Sequence, residues 1–414
     1  MDWFWFLSIA LVAAALTYVL VPASMWVARR FNVIDYPDGR RVNTSPIPRL
    51  GGIALFFGVM GSVLAFSLAD SLVGDQALLS DLSRNINYPG VLVAMTVIFG
   101  LGLLDDFIDL SALVKLVGQT AGACVAVFSG VLISRVGSPF FNFSFDLGML
   151  AYPVTIFYLV AFANIFNLID GLDGLAAGIV TISSFALLML SLERSGYDAV
   201  VLSLALIGSC LAFLRFNFHP ARVFMGDSGA LFIGFTFGII SLLGAVRSSA
   251  LISILVPVAI AGIPAIDTTA AIVRRVIKRQ PIFVSDMEHV HHRLINIGFN
   301  QRATVLIIYS ITALFALCAY LIVQVTGVQR ILLSLFLITI AILLVWILGL
   351  PHSVLRHFYN RRGSTQAAKE PANGPHEDAD EAKDADKDVL GAVELDEAED
   401  AGKVENEDED ADRA

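Results

Sequence analysis

The chain has 414 residues, 57% of them apolar and only 15% charged, with a mean hydropathy of +0.75. That balance excludes an ordinary water-soluble domain, because many apolar runs reach the ~20 residues a spanning helix needs. The net charge of −10 is segregated: residues 363–414 hold 19 acidic and 5 basic side chains, leaving a net +4 on residues 1–362. Cys124, Cys210 and Cys318 lie inside apolar runs without CxxC spacing, which excludes a disulfide framework and a zinc-cysteine site.

Hydropathy predicts an all-α integral membrane protein, a polytopic bundle of about eleven spans at 3–23, 50–68, 89–104, 114–134, 149–166, 174–191, 199–214, 229–245, 251–272, 303–325 and 331–350. The first run lacks a basic leading segment and further spans follow, so it reads as a spanning helix and not as a signal peptide. Arg29, Arg30, Arg40, Arg41, Arg49, Lys115, Arg215, Arg222, Arg274, Arg275, Lys278, Arg279, Arg293 and Arg302 fall in one set of loops. The other set holds only Arg84, Arg135, Arg194, Arg247 and Arg330. The positive-inside rule makes the first set cytoplasmic, with the N-terminus outside and the C-terminus inside. Residues 1–350 form the expected transmembrane catalytic domain. Residues 351–414, rich in Ala, Asp and Glu, are expected to be a disordered acidic cytoplasmic tail.

The polar residues that interrupt this pattern all fall on the cytoplasmic side. After the first span, Asp35 to Gly52 carries Arg40, Arg41, Arg49 and the pair Gly51-Gly52, punctuated by Pro and Gly as a structured crossing. Arg49 there suits either a phosphate contact or a lipid-facing anchor. The third span ends in Asp105-Asp106, with Asp109 and Lys115 beyond. Adjacent carboxylates at a helix end repel, and a metal or a cationic side chain stabilises them.

The central stretch is Asn164 to Gly174. Asn164, Asn167, Asp170 and Asp173 recur every three residues, a spacing that stacks them on one side of a helical end, and Gly171 and Gly174 permit a tight turn or close approach. Intramembrane carboxylates mark a functional site by default, the plainer alternative being an interhelical polar contact. Gly226-Asp227-Ser228-Gly229 opens the eighth span. It offers backbone N–H groups for an anion and a carboxylate for a hard cation, although Asp and Ser are also ordinary N-caps. The loop from Arg274 to Arg302 carries Glu288, His289, His291, His292 and Arg293. With no cysteine nearby and oxygen ligands elsewhere on the face, the histidines and arginines read as donors to phosphate and sugar oxygens in preference to a zinc site.

Carboxylates, glycine-lined helix starts and a ring of Lys, Arg and His suit a metal-dependent phosphoryl or phosphosugar transfer to a lipid. No GxxxxGK[ST], GxSxG or CxxC motif is present, which sets aside a P-loop enzyme and those nucleophile families.

Taken in order, Arg40-Arg41 to Gly52, Asp105-Asp106, Asn164 to Gly174, Met225 to Gly229 and His289 to Arg293 resemble the polyprenyl-phosphate N-acetylhexosamine-1-phosphate transferases of glycosyltransferase family 4. The resemblance covers about Asp35 to Arg302. His-Val-His-His-Arg is similar to the branch that uses UDP-N-acetylglucosamine, whereas the pentapeptide-transferase branch has three consecutive histidines. Asn43 departs from the histidine common at that position. The resemblance implies transfer of GlcNAc-1-phosphate from UDP-GlcNAc to undecaprenyl phosphate, with release of UMP and a requirement for Mg²⁺ or Mn²⁺. It implies Asn167 and Asp227 as metal ligands and Asp105, Asp106 and Asp170 as the catalytic carboxylates, Asp105 acting as base or positioning the lipid phosphate. Lys115 would contact the pyrophosphate, and Asp173 the uracil. His289, His291, His292 and Arg293 would line the sugar and phosphate pocket. The expected partners are undecaprenyl phosphate and a UDP-N-acetylhexosamine, with no nucleic acid and a homodimer left open. The expected place is the bacterial inner membrane. A sister transferase for another UDP-sugar, such as the N-acetylmuramoyl-pentapeptide, and an ion-coupled transporter are the competing readings. A transporter should place its acids near mid-span.

Overall fold

The computed structural model describes residues 3–37, 45–73, 86–137, 144–193, 196–246, 255–277 and 289–347. The acidic tail, Arg40, Arg41, Lys278, Arg279 and Glu288 lie outside the described residues. Thirteen helices are described: α1 (Trp3–Arg30), α2 (Gly52–Val73), α3 (Tyr88–Ile108), α4 (Ala112–Phe128), α5 (Ala151–Ile169), α6 (Leu175–Glu193), α7 (Tyr197–Asn217), α8 (Gly226–Val246), α9 (Leu255–Ile260), α10 (Gly262–Ile277), α11 (Val290–Asn296), α12 (Gln301–Gln324) and α13 (Gly327–Ile347). Two short antiparallel hairpins accompany them. One pairs β1 (Ile34–Asp35) with β2 (Ile47–Pro48), and the other pairs β3 (Arg135–Gly137) with β4 (Ser144–Asp146).

Among the described residues, nine helices are long and apolar enough to cross a bilayer. The chain is thus a multi-pass membrane protein of all-α architecture. Three expected spans differ in detail. α1 takes Pro22 within it and continues past Ala23 to Arg30. The fourth span is shorter than expected, because α4 stops at Phe128 after 17 residues, about 25 Å of helix. The ninth is broken between Ile260 and Gly262. Pro264 supplies a physical reason: it has no N–H to give to Ile260, and its ring crowds that carbonyl.

α8 is the axis of the bundle, with 94% of its apolar stretch buried. Its apolar side chains pack against α3, α5, α7 and α2 in turn. Phe232 meets Phe56 of α2 edge-on at 5.4 Å, and Phe56 stacks on Phe99 of α3 with centroids 4.0 Å apart. On the other flank Phe237 packs against Phe162 and Phe166 of α5 at 5.4 and 5.2 Å. These rings fix the axial position of α8, and so the position of its first turn. At that end α1, α3, α5 and α7 finish and α2, α4, α6 and α8 begin. The acids noted in the sequence therefore gather at one end of the bundle, and not at mid-span.

Candidate active site

The site is built around the first turn of α8. Four backbone N–H groups at a helix start lack intrahelical partners. Two of them, Asp227 N and Ser228 N, donate to the buried Asp106 carboxylate at 2.8 and 3.0 Å. A carboxylate at this end is also favoured by the positive end of the helix dipole. The approach requires glycine twice. Gly226 has φ +69°, and a Cβ there would lie 2.6 Å from both Asp106 carboxylate oxygens. A Cβ on Gly102, one turn before Asp106, would lie 2.6 Å from the Asp227 carbonyl oxygen. The sequence left these α8 N–H groups available to an incoming anion; instead, α3 supplies the anion.

Arg49 closes the same corner. Residues 48–52 run beside 224–225: Phe224 N donates to Pro48 O, Gly51 N to Phe224 O and Gly52 N to Met225 O, at 2.8–2.9 Å. That ladder brings Arg49 Nε to 3.5 Å from Asp106 Oδ1 and one Nη to 3.4 Å from Asp227 Oδ2. Burial works against the Arg49 charge, but Asp227 and Asp106 outweigh it and raise its pKa. Of its two sequence readings, the geometry assigns Arg49 to the cluster.

Asp105 and Lys115 face each other across the sharp α3–α4 turn. Asp109 ends α3 in the left-handed region at φ 46°, its N–H on Asp105 O at 3.0 Å. Leu110 N donates to Asp105 Oδ1 at 2.7 Å. The returning chain places the Lys115 ammonium directly on Asp105 Oδ2 and 3.1 Å from Asp227 Oδ2. From α5, Asn167 Nδ2 donates to Asp227 Oδ1 at 2.7 Å. Asp227 thus joins four elements, receiving Lys115, Arg49 and Asn167. Three carboxylates are met by two cations.

The three-residue spacing after Asn164 holds only to the helix end. Asn164 and Asn167 lie on α5, Asp170 is its C-cap, and Asp173 sits in the turn beyond. Asp170 has its pKa raised to about 7, first by burial and then by the negative charge of Asp227, with Asp106 and Asp173 adding to it. Asp173 turns away from the others. Its Oδ2 accepts from Ala221 N at 3.0 Å and lies 2.8 Å from His219 Nδ1, tying the turn to the α7–α8 connection.

α11 brings in the histidines. His289 Nδ1 is 3.0 Å from Asp267 Oδ2 on α10, and Val290 N donates to Asp267 Oδ1 at 3.1 Å. His291 stacks on His289 and tilts against His292, with centroids 5.8 and 4.3 Å apart. Its Nε2 lies 2.7 Å from where a Cβ of Gly171 would stand, so α11 docks on the turn beside Asp170. Burial first, and then His292, push the His291 pKa down to about 3, which keeps the ring neutral. Arg293 follows on the same short helix, half-buried.

Sequence reasoning did not single out Asp267, although it is the lone carboxylate of the apolar run 251–272, and that was the available signal. Asn217 was also missed. It bridges Gly174 N and Val223 O at 3.1 and 2.8 Å and holds two site turns together.

Among the described residues, no three His, Cys, Asp or Glu side chains are placed to hold a metal ion. Asp227 and Asn167 are nonetheless neighbours that each carry a side-chain oxygen of the kind hard cations take, the Asn167 amide here giving its N–H to Asp227. Mg²⁺ in phosphate-handling sites commonly has one or two protein oxygens, with waters and substrate phosphates completing its shell. The residues present fit such an ion. They do not fit zinc, because among the described residues no three such side chains converge and His289 Nδ1 is turned to Asp267.

The glycosyl transferase family 4 model matches residues 88–245. The chain is 38% identical over 342 residues to a probable undecaprenyl-phosphate N-acetylglucosaminyl 1-phosphate transferase of Bacillus subtilis (strain 168), covering 82% of this chain and 90% of the relative. It is 38% identical over 322 residues to decaprenyl-phosphate N-acetylglucosaminephosphotransferase of Mycobacterium tuberculosis (strain ATCC 25618 / H37Rv), covering 73% and 78%. Undecaprenyl-phosphate alpha-N-acetylglucosaminyl 1-phosphate transferase of Escherichia coli (strain K12) is 30% identical over 295 residues, covering 70% and 76%.

Proposed function

We propose that this chain, which belongs to glycosyl transferase family 4, transfers N-acetylglucosamine 1-phosphate from UDP-N-acetylglucosamine to a polyprenyl phosphate. The observation that carries the reading is Asp227, with Lys115, Arg49 and Asn167 all on its carboxylate at one end of a membrane bundle. A lipid headgroup and a soluble nucleotide can meet only at such an end. We read that end as the cytoplasmic face of the bacterial inner membrane, because the basic loops share it.

In this reaction an oxygen of the lipid phosphate attacks the β-phosphorus of the UDP-sugar. The bond between that phosphorus and the bridging oxygen breaks, UMP leaves with the bond's electrons, and the lipid gains a diphospho-sugar. Lys115 and Arg49, already held by carboxylates, supply the positive charge that the crowded phosphates need. Asp227 and Asn167 would hold Mg²⁺ or Mn²⁺, which when bound neutralises phosphate oxygens. Asp106 fixes the α8 start on which Asp227 stands. Asp105 orients the Lys115 ammonium and helps place the attacking phosphate, which is ionised at neutral pH and hardly requires a base. Neutral His291, held beside Gly171 by α11, can give one hydrogen bond to a sugar or phosphate oxygen.

The test is a membrane assay with undecaprenyl phosphate and a panel of labelled UDP-sugars, with and without chelator. Chelator-sensitive lipid label from UDP-GlcNAc is the expected result. Label from another sugar alone would move the protein to a sister branch, and no transfer from any sugar by folded protein would overturn the reading.

A further inference from the structure

A buried polar contact between α4 and α5 lies just beyond the site residues described above. Gln119 of α4 and Asn164 of α5 face each other with two reciprocal amide hydrogen bonds: Asn164 Nδ2 to Gln119 Oε1 at 2.6 Å, and Gln119 Nε2 to Asn164 Oδ1 at 3.3 Å. Asn164 Nδ2 also donates to Val160 O at 2.8 Å. Gln119 is only 2% exposed. At this depth there is little water to replace a lost partner, so the pair is costly to break.

Its place in the two helices is what matters. Gln119 is four residues after Lys115 on α4, and Asn164 is three before Asn167 on α5. Both spacings put the pair on the same helix faces, about 4.5–6 Å deeper than Lys115 and Asn167. Those two residues in turn converge on the two oxygens of Asp227. In the half of α4 that carries Lys115, from Ala112 to Gln119, Gln119 is the one buried residue. Leu101 packs at Gly118 and ties this half to α3. One apolar contact of that kind sets the helix orientation less tightly than two directed hydrogen bonds do.

We propose that the Gln119–Asn164 amide pair is a clamp that sets the axial and rotational register of α4 against α5, and through it the placement of Lys115 beside Asp227 and Asn167. These are positioning residues and touch no reacting atom. The inference rests on the proposed phosphosugar transfer, because it assigns Lys115 a charge-stabilising part in that reaction.

The experiment compares Gln119→Asn, Asn164→Gln and the exchanged double variant in the detergent-solubilised full-length enzyme. It measures kcat per folded molecule, KM for UDP-GlcNAc and melting temperature. Each single variant breaks the length match of the two amides, and kcat is expected to fall about 10- to 100-fold, the scale of an ångström misplacement. KM should change by less than about threefold, since a transition-state contact is what is lost. The exchanged pair restores the combined length, and its kcat should return to within about threefold of the parent. Single variants with parental kcat, or an exchanged pair no faster than either single, would overturn the clamp. If the single variants fail to accumulate, the exchanged pair decides alone, a loss greater than threefold counting against it. An inactive parent enzyme would instead count against the transferase reading, so the two failures are separable.

Discussion

Replacing Gly102 with alanine tests how closely the first turn of α8 must sit against α3. The new Cβ would lie 2.6 Å from Asp227 O and Ser228 Cα and 2.7 Å from Ser228 N, whereas ordinary contact begins at 3.4 Å. All three neighbours are backbone atoms, so the helices must part by about 0.8 Å. Asp227 would move with them, stretching its contacts to Lys115 and Asn167, now 3.1 and 2.7 Å, to roughly 3.5–3.9 Å and out of hydrogen-bond range. Overpacking costs about 1–3 kcal/mol, and alanine returns up to about 1 kcal/mol in helix propensity, so the net destabilisation is about 0–2 kcal/mol. The effect on rate is larger, about 10- to 100-fold in kcat. Gly100→Ala is the matched control, because a Cβ at that position on the same helix meets nothing within 4 Å. The assay is initial rate of lipid-linked product per folded enzyme, with melting temperature measured alongside. Equal rates for Gly102→Ala and Gly100→Ala would refute the argument that this contact sets the site.

Other outcomes follow from the same geometry. Asp227→Asn should lower turnover by at least about 10³-fold while the protein stays folded, as judged by transfer rate and gel filtration, because Lys115, Arg49 and a bound cation all lose their anion. Arg49→Lys should cost about tenfold in kcat/KM, since a single ammonium cannot span Asp106 and Asp227 as the guanidinium does. Asp267→Ala should reduce the transfer rate with a smaller effect on melting, because it frees His289 and the start of α11 without opening the α8 core. For pH, the folded-state pKa of Asp170 is raised above its ordinary value, to about 7. The folded protein therefore binds that proton more tightly than the unfolded chain. The associated stability is present at low pH and is lost as pH rises through the folded pKa. In chelator, the melting temperature should fall between about pH 4 and 7, the ordinary and the folded-state pKa, and Asp170→Asn should flatten that slope. An unchanged slope in the variant would contradict the assignment to Asp170.

The bundle was legible because spanning helices must satisfy their backbone internally, which makes long apolar runs a strong signal. Its exceptions were less so. Nothing in hydropathy distinguishes the broken pair α9 and α10 from one continuous span, although Pro264 marks the place. The cluster itself was legible from residue type: Asp105, Asp106, Lys115, Asn167 and Asp227 stood out as polar residues at the ends of apolar runs, and the fold joins them. What the sequence could not convey is who pairs with whom. Asp106 was expected among the catalytic carboxylates, and its two oxygens receive the α8 backbone. Asp173 was placed on the helical face of Asn164 and Asn167, but α5 ends first and the carboxylate binds the α7–α8 connection. Such pairings depend on tertiary approach between helices far apart in the chain, and spacing along one helix carries no information about them. Asp267 was hidden for a similar reason, since its partners His289 and Val290 lie more than twenty residues away.

The most direct test of the central claim is the fate of the β-phosphate. UDP-GlcNAc labelled only at the β-phosphorus would be given to membranes containing the protein and undecaprenyl phosphate, and the lipid and aqueous phases counted separately. Phosphosugar transfer predicts the label in the lipid, in equal amount to unlabelled UMP in the water phase. Label retained in water-soluble UDP while sugar appears in lipid would mean that the bond to the sugar was cut instead, and would contradict the account.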